Sequence, residues 1–138
     1  MILNMVIGFV ILIALISVLV SGVNTTNTMI SSVLERTKEI GIMKSIGARN
    51  SHILGIFLFE SSFLGFVAGI LGCLVGFITS FVGGVILDNI GYSFLHPAFP
   101  LILFVGCILF AVLTGVVSGI APAYNAMKIN PVKALRYE

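Results

Sequence analysis

A chain of 138 residues that is 59% hydrophobic and only 9% charged is not a soluble domain, in which roughly 25% of residues are charged. A formal charge of +2 is too small for an electrostatic binder of nucleic acid, and what matters instead is where the charges stand. Cys73 and Cys107 each lie inside an apolar segment and read as packing residues rather than as a disulfide or metal pair.

Residues 1–34 contain no charge, and Met5 to Val23 is almost continuously apolar, about the ~20 residues that cross a bilayer as a helix. A signal peptide is a poor description, because Met1 to Asn4 carries no positive charge and no small-x-small site follows. Asn24 to Thr28 is polar but holds neither Gly nor Pro. The spacing therefore predicts a helix that leaves the hydrocarbon near residue 24 and continues to Arg36. A charged island follows, Glu35 to Arg49, with four of the seven Lys/Arg and two of the five acids. Such an island between two apolar spans is where a membrane protein meets something soluble. Gly41 weakens helix and Gly47 stops it, so Ile40 to Ala48 reads as a short separate helix. At 100° per residue Ile40, Ile42, Met43, Ile46 and Gly47 fill an arc of roughly 160°. Lys38, Lys44, Ser45 and Arg49 take the other side, and Glu39 falls inside the apolar arc. That mixture fits an interfacial helix with two different neighbours.

Asn50 and Ser51 are N-cap candidates for the next helix. Ile53 to Leu87 is apolar apart from Glu60 and scattered Ser and Thr, with a span at about 58–86 and its first turns at the interface. Gly65, Gly69, Gly72 and Gly76 recur at helical spacing and predict a face on which another backbone packs closely. Asp88 to Pro100 reads as a loop, in which Tyr92, Phe94 and Phe99 suit an interfacial belt. A third span, about 99–121, carries Gly115 and Gly119 as a further packing pair and ends at Pro122. The tail, 123–138, holds Lys128, Lys133 and Arg136. Residues 50–127 contain no Lys or Arg, so the positive-inside rule puts the island and the tail in the cytoplasm, with Met1 and the 88–100 loop outside. An outside N-terminus points to the C-terminal part of a longer protein, or to a partner for one.

The fold class expected is thus an all-α membrane protein of three transmembrane helices with a short cytoplasmic helix between the first two. No P-loop, HExxH or GxSxG is present. His52 and His96 fall on opposite sides of the membrane by this topology, and no catalytic residue and no metal site is expected. Glu60 is the one ionisable residue well inside an apolar run, either a functional group, a side chain that reaches the interface, or a partner for Lys44 or Arg49.

Ser32 to Ser61, with Glu35, Arg36, Glu39, Ile40, Gly41, Gly47 and Ala48, resembles the signature of the FtsX-like permease family, the MacB- and LolC/LolE-type ABC transporter permeases. Gly119 to Glu138, with Pro122, Ala126, Pro131, Ala134, Leu135 and Arg136, is similar to that family's C-terminal end. The resemblance implies one transmembrane domain over 1–138. It makes the island a coupling helix in which Glu39, Ile40, Gly41, Ile42, Met43, Lys44, Ile46 and Gly47 dock on a cytoplasmic ABC ATPase. It further implies a multi-pass protein of the cell membrane that binds no cofactor directly, with ATP and Mg acting through the partner. The function implied is export or mechanical work outside the membrane; the alternative is a scaffold that relays ATPase state to an extracytoplasmic partner such as a cell-wall hydrolase. The family's first helix and extracytoplasmic domain have no counterpart here, so a missing N-terminal permease half or a second permease copy is an expected partner, beside the lipid bilayer.

Overall fold

The computed structural model describes residues 1–89 and 100–129, and these form four helices. Helix α1 is Ile2–Glu35, α2 is Thr37–Ser45, α3 is Asn50–Asn89 and α4 is Leu101–Met127. Three of them, α1, α3 and α4, are long and apolar enough to cross a membrane, and the chain is a multi-pass membrane protein. At 1.5 Å per residue α1 is about 50 Å long and α3 about 60 Å, well beyond the ~30 Å of hydrocarbon. The expected continuation of α1 through Asn24 to Thr28 is thus met, and its polar residues fall inside the helix. The residues expected as an interfacial belt, Tyr92, Phe94 and Phe99, lie outside the described residues, as do His96 and residues 130–138 of the tail.

Helix α4 is the centre of the bundle: it packs along α3 and also against α1, whereas α1 and α3 barely touch. The α3–α4 seam follows every fourth residue. On α3 the buried positions are Ile53, Phe57, Ser61, Gly65 and Gly69; on α4 they include Gly115, Gly119 and Ala123. The two rows run antiparallel; the α3 row passes from the large Ile53 and Phe57 to the small Ser61, Gly65 and Gly69, and the named α4 positions are all small. A Cβ on Gly65 would stand 2.6 Å from the Ala111 carbonyl oxygen, and one on Gly115 would stand 2.5 Å from that of Ser61. Here the backbones themselves are in contact, the arrangement small residues permit in membranes. The four-glycine face expected on α3 therefore divides. Gly65 and Gly69 meet α4, while a Cβ on Gly72 or Gly76 would meet nothing within 4 Å. Continued every fourth residue the seam passes through 73 and 77, so Gly72 and Gly76 each stand one residue, about 100°, out of phase with it.

Pro122 does not end the helix. It lies inside α4, buried, and the helix continues to Met127. Helix α3 begins at Asn50, with the Arg49 carbonyl accepting from His52 N at 2.9 Å; Arg49, rather than Asn50 or Ser51, thus stands at the cap. The core is gathered at one end, where Val33 of α1, Ile40 of α2, Ile53 and Phe57 of α3, and Ala123 and Ala126 of α4 meet. Away from it, every residue from 1 to 17 is exposed.

Candidate functional site

The short helix α2 is set by its two ends. Arg36, at φ −96° and ψ 15°, is the single residue that separates it from α1. The Thr37 hydroxyl lies 3.0 Å from the Val33 carbonyl and 2.8 Å from that of Leu34, so it serves the orphan acceptors that a helix end leaves. The break thus precedes Thr37, and the helix runs 37–45 rather than 40–48. At the other end Gly47 has φ +99°, a conformation that costs glycine least. The Ala48 amide donates to the Met43 carbonyl at 2.9 Å and the Gly47 amide to that of Lys44 at 3.1 Å, the paired bonds of a Schellman stop. The sequence expectation that Gly47 stops the helix holds, and Gly41 lies buried within an unbroken helix.

The apolar arc splits between two environments. Ile40 is 1% exposed against Val33, Ile53 and Phe57, and Met43 packs half-buried on the same cluster. Ile42 and Ile46 face away, 48% and 80% exposed, in company with Lys38, Glu39, Gly47 and Arg49. The eight residues expected to act together therefore divide: Ile40, Gly41 and Met43 hold the helix down, and Glu39, Ile42, Ile46 and Gly47 are presented outward.

Lys44 belongs to the holding side. Its Nζ donates to the carbonyl of Met127 at 2.6 Å, an acceptor that α4 leaves open at its C-terminus, and to that of Ile129, just beyond the helix, at 2.8 Å. A cation there also meets the negative end of the helix dipole. Neither Lys44 nor Arg49 pairs with Glu60. Its partner is Arg36, at 3.6 Å, on the residue that breaks α1 from α2. Both charges are partly solvated, so the pair is a weak tether.

Two residues outside these expectations complete the arrangement. Thr26 of α1 reaches the Ser118 carbonyl of α4 at 3.0 Å, four residues before Pro122. The signal that could have found it is a proline inside an apolar run, which frees the carbonyl four residues earlier for another donor such as a neighbouring hydroxyl. Among the described residues no group of His, Cys, Asp and Glu is placed to hold a metal ion. Cys73 is half-buried and Cys107 exposed.

The pattern described as FtsX-like permease C-terminal matches residues 5–131. An uncharacterized ABC transporter permease of Methanocaldococcus jannaschii is 42% identical over 130 residues, which is 94% of this chain and 33% of the relative. The pyoverdine export ATP-binding/permease protein PvdT of Pseudomonas entomophila is 42% identical over 126 residues, 91% of this chain and 18% of the relative. The macrolide export ATP-binding/permease protein MacB of Bdellovibrio bacteriovorus is 44% identical over 128 residues, 91% and 18%. The chain spans a third or less of the length of these relatives.

Proposed function

Because this chain belongs to the FtsX-like permease family, we propose that it is the membrane-spanning end of an ABC transporter permease, in which α2 receives the motion of a cytoplasmic ATPase. ATP and Mg are bound by that ATPase, in a separate subunit or a joined domain, and this chain carries the motion into the membrane. The export named for PvdT and MacB favours work on a substrate over a purely regulatory scaffold. The described Lys and Arg residues cluster at the core end of the bundle, and the positive-inside rule favours a cytoplasmic position for that end.

The observation that carries this reading is the two-sided α2. A helix whose inner side is bolted to α3 and α4 while Ile42 and Ile46 stand exposed has a surface ready for a soluble partner and an anchorage to transmit its movement. Burying an Ile side chain contributes roughly 1.5–3 kcal/mol, and a carboxylate in its place adds a desolvation cost. Since 1.4 kcal/mol is about tenfold in affinity, Ile42→Asp or Ile46→Asp in the full-length protein in nanodiscs should weaken binding of the cognate ATPase at least tenfold, with folding intact. Wild-type retention of the ATPase by both variants would show that α2 is not the docking element. Met43→Asp is unsuitable for this test, because Met43 rests on the core.

A further inference from the structure

Pro122 is fully buried inside α4. It has no N–H, so the Ser118 carbonyl, four residues earlier, loses the donor that an ordinary helix supplies. A bare carbonyl withdrawn from water between packed helices is costly. Ser118 cannot serve itself: its hydroxyl donates to the Thr114 carbonyl at 2.8 Å. The donor comes instead from another helix, the Thr26 hydroxyl of α1 at 3.0 Å. The helices are close at this level, since a Cβ on Gly22 would stand 3.3 Å from Ser118 Oγ. Thr26 Oγ1 is also 2.9 Å from the Gly22 carbonyl of its own helix, and a hydroxyl has one hydrogen for the two acceptors.

We propose that Thr26 and Pro122 form a releasable interhelical pin, in which the Thr26 hydroxyl takes the carbonyl that Pro122 leaves free and so fixes the position of α1 along α4. The pin is releasable because it is built on two acceptors. When α4 shifts against α1, Thr26 keeps the Gly22 carbonyl, and only the bond to Ser118 is lost. An interhelical bond with no fallback acceptor would leave both a donor and a carbonyl unpaired. The proline therefore creates a contact that holds the two helices in one register without locking them there, and it does so whatever the transported substrate is.

A double-mutant cycle on the full chain in lipid nanodiscs tests it. Thr26→Val removes the donor at nearly constant shape and should lower the melting temperature by about 3 °C, whereas Thr26→Ser should restore it. Pro122→Ala returns a backbone N–H to the Ser118 carbonyl, so in the P122A background Thr26→Val should change the melting temperature by less than about 1 °C. Equal losses in both backgrounds, or a Thr26→Ser loss as large as that of Thr26→Val, would overturn the pin. Should P122A not fold, the Ser118 carbonyl labelled with carbon-13 and oxygen-18 reports directly. Its infrared band should move to higher wavenumber in Thr26→Val and stay in place in Thr26→Ser, and an unmoved band in Thr26→Val overturns the pin.

Discussion

Lys44 carries a positive charge to the C-terminal end of α4, and it reaches the Met127 and Ile129 oxygens from 83 and 85 residues away. A hydrogen bond from a charged donor contributes about 1.5–3 kcal/mol, and part-burial brings the pair toward the lower figure. Lys44→Met should therefore loosen α2 from α4. Amide hydrogen exchange in α2 should rise severalfold, and Lys44→Arg should recover much of the protection, because it keeps the charge and the donors. Unchanged exchange in Lys44→Met would remove Lys44 from the anchorage. This contact could not be read in the sequence, because its acceptors are backbone groups and leave no side-chain signature. Glu60 was legible as an unusual charge in an apolar run, but its partner was not. Lys44 and Arg49 are nearer the start of its helix, and it is the break at Arg36 that brings that guanidinium to it.

At the scale of the helix, the α3–α4 seam rests on positions four apart. Gly115→Ala should cost about 1–3 kcal/mol, because its Cβ meets the Ser61 carbonyl and a well-packed seam yields little. Gly72→Ala should be neutral or slightly stabilising, since open space surrounds it and Ala favours helix over Gly. Thermal melting in detergent compares the two; equal effects would mean that the seam is not where the backbones touch. The sequence showed that glycines mattered but gave too much weight to their identity. Ser61 sits in the same row as Gly65 and Gly69 and is as buried, while Gly72 has the right side chain in the wrong phase. The stop at Gly47 was legible because one residue type answers one backbone requirement. The start of α2 was not, because it depends on a hydroxyl, Thr37, folding back on Val33 and Leu34.

For the whole molecule, three spans and a charged island between the first two were legible from runs of uncharged residues and their lengths, which lipid enforces more strictly than water does. The inner and outer sides of α2 were not, since a helical wheel places Ile40 and Ile42 in one arc and only the neighbouring helices decide which is covered. The proposed orientation can be tested with single cysteines in a background where Cys73 and Cys107 are replaced. A cysteine at Asp88, exposed at the end of α3, should react with an impermeant thiol reagent added outside intact cells, and one at Ser45 should not. The opposite pattern would turn the molecule over in the membrane and take α2 away from any cytoplasmic ATPase.

The core gathers where α1, α2, α3 and α4 meet at one end, which makes that end a pivot and the rest of α1 a lever arm. From Met29, the first of its buried residues, back to Ile2 is 27 residues, or about 40 Å at 1.5 Å per residue. A tilt of about 10° at the pivot carries the far tip through about 7 Å on that length. A small rotation at the core end is therefore a large displacement at the far end of α1. The gain is set by helix length alone.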